Sequence, residues 1–144
     1  MNFSPGNSSV AGFIDASLTT LRNEFPTAYF LMCALLSPRE VRLSIDGEEV
    51  TLNFSPDGAY LLAQPHHPTV ELRTSRQTIL DVIDARMTLY ESVLANDILL
   101  QGSPNDLAIC HEGLLIYVRG AVRSPSFPFL LERFRQTSSG GIFA

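Results

Sequence analysis

Asp46-Gly47 stands between two runs of strict alternation, and this short stretch restricts the folds open to the chain more than any other. Val41, Leu43 and Ile45 alternate with Arg42 and Ser44 before it, and Val50, Leu52 and Phe54 alternate with Thr51 and Asn53 after it. A period of two places the apolar set on one side of a strand. An Asp-Gly pair supplies the positive φ values of a type I′ turn without steric cost. The stretch therefore predicts a β-hairpin with one apolar face that other elements must cover. Ser55-Pro56-Asp57-Gly58 is a second turn signal, leading to a strand over 59–63. A Pro-bounded loop, Gln64 to Pro68, precedes a fourth strand with Val70 and Leu72 inward. These four strands are expected to form a consecutive antiparallel meander.

On either side of the meander the period changes to that of a helix. Ile14, Leu18, Leu21 and Phe25 recur at i, i+4, i+7 and i+11, on one helical face, and Pro26 punctuates the pattern. From about Thr27 to Ser37 a second helix carries almost no polar side chain, so it should be buried on most sides or lie against something apolar. Thr74-Ser75-Arg76-Gln77 reads as a capping box opening a helix with Ile79, Leu80, Ile83 and Met87 inward. Thr88 to Asn96 continues as another helix, and Ile98-Leu99-Leu100 is a short strand ending at Gly102. Ser103-Pro104-Asn105-Asp106 combines an N-cap serine, a first-turn proline and an acid at N3, and is the clearest helix start in the chain. Leu107, Cys110, Leu114, Tyr117 and Ala121 form its inner stripe, and after Ser124-Pro125 a last helix carries Phe127, Leu130, Leu131 and Phe134. The order predicts an α+β fold: a five-stranded, mainly antiparallel sheet with helices packed on one face. Residues 1–11 are expected to be a loose arm, 12–136 a single domain and 137–144 a flexible tail.

Composition excludes several functions. With 144 residues, 45% hydrophobic and only 17% charged, the chain can bury a core and is not of the disordered class. A formal net charge of −5 argues against nucleic-acid binding, which needs a cationic surface to displace counterions. All ten basic residues are arginine, so Schiff-base chemistry and a P-loop lysine are absent. The longest apolar run, Ala28 to Leu36, is nine residues, where a membrane span needs about 20. The N-terminus lacks the basic and apolar regions of a signal peptide, and a cytosolic location is expected. Cys33 and Cys110 match no zinc or redox spacing and read as small core residues.

Few residues suggest chemistry. His66-His67 lies between Pro65 and Pro68, and adjacent residues in an extended loop point opposite ways, so the pair cannot readily chelate one metal. His111-Glu112 begins like a zincin motif, but Leu115 stands where the second histidine is required. Asp81 with Asp84, and Glu48 with Glu49, read as solvated faces. No metal and no cofactor are expected. The charges are uneven: Arg119, Arg123, Arg133 and Arg135 meet only Glu132 from Gly113 onward. Arginines late in a helix suit its negative dipole end. The second reading is that they bind an anionic head group, or touch an anionic membrane transiently.

The element order resembles the sterol carrier protein type 2 domain family from about Glu40 to Arg135. The residues that carry the resemblance are the hairpin ending in Ser55-Pro56-Asp57-Gly58, the segment Thr69 to Ser75 leading into a helix, and above all Leu89 to Gly102 followed by a helix. Asn96-Asp97 stands where the family usually has glycine-lysine, and the meander lacks the tryptophan many members carry. The resemblance implies an apolar tunnel between sheet and helices for a sterol, acyl chain or similar molecule, with the C-terminal helix as a movable wall. Such a site leaves little motif, because each buried CH₂ contributes about 0.8 kcal/mol without any polar contact. The candidates are therefore chosen by face: Met87, Tyr90, Tyr117, Phe127, Phe129, Leu130 and Phe134 for the cavity, and His66, His67, Arg119 and Arg123 for a polar mouth. The leading reading is a carrier of a hydrophobic small molecule. The alternatives are a small enzyme that cyclises or isomerises an apolar substrate with a loop histidine or a tyrosine as acid-base group, and a homodimerising accessory module of a larger complex.

Overall fold

A computed structural model describes residues 10–143, with side chains to 136. The expected arm falls mostly on 1–9, and the end of the expected tail on 144; both lie outside the described residues. The chain runs α1 (Val10–Glu24), α2 (Pro26–Leu36), β1 (Glu40–Ile45), β2 (Glu48–Ser55), β3 (Gly58–Leu62), β4 (Val70–Thr74), α3 (Arg76–Ile83), α4 (Leu89–Leu94), β5 (Leu99–Gln101), α5 (Pro104–Arg123) and α6 (Phe127–Phe143).

The hairpin forms as its alternation requires. Asp46 and Gly47 take φ of 52° and 86°, the positive values of the type I′ turn, and Ile45 pairs with Glu48. Val41, Leu43, Ile45, Val50, Leu52 and Phe54 are all buried, whereas Arg42 and Glu49 form an ion pair at 2.7 Å on the outer face. The helices collect against the buried face, giving the expected α+β layers.

The meander requires correction. The sheet order is β3-β2-β1-β4-β5, and β4 lies parallel to β1, pairing Val41 with Val70 and Leu43 with Leu72. The cause is the loop after β3. Leu62 sits level with Thr51 and so with Arg42, while Val70 sits level with Val41, so the loop need only cross the sheet sideways rather than reverse. Three strand spacings are about 14 Å, within reach of the seven residues between Leu62 and Val70 at about 3.3 Å each. Glu40 holds the crossing: its Oε2 accepts the His66 and His67 amides at 2.7 and 3.1 Å, and its carbonyl accepts the Thr69 amide at 2.9 Å. The free edge of β3 is occupied as well, since the Ala59 amide donates to Tyr29 Oη at 2.9 Å.

Two helix starts differ from the sequence reading. Thr74 remains in β4 and donates to the Asp97 carbonyl, so Ser75 caps α3 by accepting the Thr78 amide. The reciprocal capping box lies one helix later, between Thr88 and Glu91. Ser103 caps α5 by accepting the Asp106 amide, with Pro104 in the first turn, as expected.

Helices α1 and α2 pack closely on α5 because α5 offers glycines there. A Cβ on Gly113 would lie 2.7 Å from Leu36 Cδ1, and one on Gly120 would lie 2.5 Å from Leu21 Cδ1. Tyr29, Met32, Cys33 and Leu36 are the buried side of α2, and Phe30 and Leu31 remain on the surface at 39% and 56% exposure. Among the described residues, no helix is long and apolar enough to cross a membrane.

Candidate functional site

Two apolar chambers lie between the sheet and the helices. The first, about 100 Å³, runs from Ile45 and Thr74 on the strands to Ile79 and Ile83 on α3 and Leu89 on α4. The second, about 90 Å³, is lined by Met32 and Leu36 of α2, Leu52 and Phe54 of β2, and Cys110 of α5. The same five residues, Ile14, Leu43, Leu72, Leu114 and Tyr117, line both. The chambers thus adjoin along a seam formed by these five residues. Helix α1 supplies Ile14, β1 and β4 supply Leu43 and Leu72 from their inward faces, and α5 supplies Leu114 and Tyr117 from its stripe.

The seam contains one polar chain. Tyr117 Oη donates to Ser17 Oγ at 2.9 Å, and Ser17 Oγ donates to the Ile14 carbonyl at 2.9 Å. Ser17 has no exposed surface. Burial pushes the Tyr117 phenol up to about 12, outweighing the hydrogen bond to Ser17, so it is neutral across the physiological range. The raised value has a consequence for stability. Between pH 10, where the unfolded tyrosine ionises, and about 12, the unfolded chain holds fewer protons than the folded one, so stability falls as pH rises. Tyr117→Phe is expected to melt less steeply than wild type through this window in calorimetric scans. Buried Tyr29, Cys33 and Cys110 are raised in the same direction and will sustain part of the fall.

The remaining candidates are dispersed. Phe127 is 1% exposed and meets Tyr117 edge-on, ring centroids 6.2 Å apart. Phe134 is buried and stacks on Phe13, itself a wall of the first chamber, at 4.2 Å. Leu130 is half-buried against the core, and Met87 is half-buried in the segment after α3. Tyr90 and Phe129 lie on the surface at 66% and 71% exposure, so the structure does not bring them to the chambers. His66 and His67 are exposed, held through their backbone amides on Glu40, and line neither chamber. Arg119 and Arg123 are exposed near the end of α5, and they too line neither chamber. Arg135 bridges Asp84 and Glu132 at 2.7 and 2.8 Å, joining α6 to the end of α3.

A wider groove of about 340 Å³ follows that ion pair, between α3, α5 and α6. Ile83 lines both this groove and the first chamber, and Phe127 stands between the groove and Tyr117. Cys110, on the wall of the second chamber, is pushed up to about 11 by burial, which keeps it a thiol rather than a nucleophilic thiolate. Among the described residues, no three His, Cys, Asp or Glu side chains gather as a metal site.

Ile14, Leu43, Leu72 and Leu114 of the seam, and Ser17 of the second chamber, are absent from the sequence-based site. One signal for them existed: Ser17 interrupts the inward spacing of Ile14, Leu18 and Leu21 with a hydroxyl.

Neither family models nor curated proteins match the chain by sequence. Solved structures match it by shape, and they define its fold. A UbiJ-SCP2 ubiquinone synthesis protein superposes with TM-score 0.61 at 16% identity, over 83% of this chain and 95% of that one. A sterol carrier protein 2 crystal structure gives 0.55 at 13% identity, over 78% and 95%. Sterol carrier protein 2 like 2 from Aedes aegypti gives 0.51 at 16% identity, over 75% and 98%. The chain has the sterol carrier protein 2-like fold, covering almost the whole of each of these domains.

Proposed function

We propose that the protein binds a hydrophobic small molecule between its sheet and helices and acts as its carrier. The observation that carries this reading is the pair of apolar chambers that share Ile14, Leu43, Leu72, Leu114 and Tyr117 as lining residues. The names of its structural neighbours, sterol carrier proteins and a ubiquinone synthesis protein, point to the same ligand class. Each chamber is smaller than the roughly 300–1,000 Å³ of an ordinary ligand pocket, so binding merges the two by moving side chains of the seam. Burial of ten methylenes then contributes about 8 kcal/mol before the costs of ordering and association, enough for micromolar affinity without a charged contact. Entry from the groove beside α6 is supported by Ile83, which lines both the groove and the first chamber, and by Phe127, which lines the groove and meets Tyr117.

Native mass spectrometry of the purified protein, with solvent extraction, tests the proposal together with Nile red titration. A bound lipid-sized mass, or saturable Nile red fluorescence at micromolar protein, is expected. A homogeneous apo mass with no probe uptake sinks the carrier reading.

A further inference from the structure

The carrier reading does not specify the polar end of the ligand, and the chamber walls restrict it. Among the described residues that line the two chambers there is no arginine, histidine, aspartate or glutamate, and the chain has no lysine. Four hydroxyl-bearing residues do line them, through walls that are almost entirely carbon. Thr74 Oγ1 is committed to the Asp97 carbonyl at 2.8 Å, and Thr78 Oγ1 to Ser75 Oγ at 3.0 Å. The other two are Tyr117 and Ser17 at the seam, and their protons run in one direction, from Tyr117 to Ser17 to the Ile14 carbonyl. A phenol that spends its proton in this way keeps its oxygen as an acceptor.

We propose that the chambers take an uncharged amphiphile whose hydroxyl donates to Tyr117 Oη, and that they select against a carboxylate of the same chain length. The inference rests on the carrier reading. A hydroxyl entering the seam exchanges water for the phenol oxygen and prolongs a chain of hydrogen bonds already in place. An ether of equal length has no proton to offer and leaves that oxygen unmet. A carboxylate would be buried with no cation in the wall and must either shed its charge or stay outside.

The test is displacement of Nile red by decanol, methyl nonyl ether and decanoate, at a pH where the acid is ionised. With wild-type protein, decanol should bind roughly three- to tenfold tighter than the ether, the worth of one net hydrogen bond, and about tenfold or more tighter than decanoate. Tyr117→Phe should bring decanol down to the level of the ether. Ser17→Ala removes the acceptor of the Tyr117 proton, frees the phenol to donate, and should raise ether affinity towards that of decanol. The second variant carries the test if the first fails to fold, as circular dichroism will show. Equal affinity of wild type for alcohol and ether, or decanoate binding as tightly as decanol, overturns the inference and leaves the carrier reading standing. Absence of Nile red uptake and of displacement by all three overturns both.

Discussion

Phe127→Ala is expected to destabilise the protein by about 3–5 kcal/mol, lowering the melting temperature by roughly 10 °C or more. Phe127 is 1% exposed and sits at the first turn of α6, where it holds three things together. Its ring meets Tyr117 edge-on, its side chain walls the groove towards Asp84 and Arg135, and it begins the stripe that continues through Leu131 and Phe134 to the Phe13 ring. Removing the phenyl leaves a cavity that cannot collapse readily, because α5 is fixed against α2 by the close approach at Gly113 and against α1 by that at Gly120. The same truncation removes much of what separates the groove from Tyr117, so Nile red should enter and leave the variant faster than wild type. Calorimetry and stopped-flow fluorescence measure the two effects. A loss below about 1 kcal/mol with unchanged exchange would show that α6 is not anchored through this ring.

The stripe behind this prediction was legible in the sequence because α5 and α6 are long enough for a 3.6-residue period to identify one face. The same reasoning failed at Tyr90 and Phe129. Helix α4 has six residues, too few for a period to choose between faces, and its capping at Thr88 turns Tyr90 outward to 66% exposure. Phe129 is two positions from buried Phe127, which on a helix is close to the opposite side. The hairpin was legible because both its turn and its alternation are local. The parallel pairing of β4 with β1 was not, because it depends on Glu40 meeting the amides of His66 and His67 some 26 residues later in sequence. For the chambers, the difficulty is of another kind. Leu43 and Leu72 show the same alternation whether they complete a solid core or border a void, and only the spacing between layers distinguishes the two.

Leu114→Phe should close the seam and lower ligand affinity at least about tenfold, with little loss of stability. Leu114 projects from α5 at the point where both chambers meet. One residue before it, a Cβ on Gly113 would already touch Leu36 of α2, and six residues after it one on Gly120 would be as close to Leu21 of α1, so α5 has no room to shift towards either helix. The added ring atoms must therefore go into the empty space beside Leu43 and Leu72. Filling a void recovers dispersion contacts that the native walls lack, which offsets the strain of a larger side chain and should keep the melting temperature near that of wild type. For the ligand the same space is lost, and a tenfold change corresponds to about 1.4 kcal/mol, less than two buried methylenes. The outcome separates a binding cavity from a loosely packed core. If the seam is where ligand lies, Nile red and decanol weaken together while the protein melts as before. If the probe binds the variant as tightly as wild type, the ligand lies elsewhere, and the exposed Phe30 and Leu31 face of α2 becomes the next place to look. If affinity and stability fall together, the chambers are packing space that the fold needs rather than room for cargo.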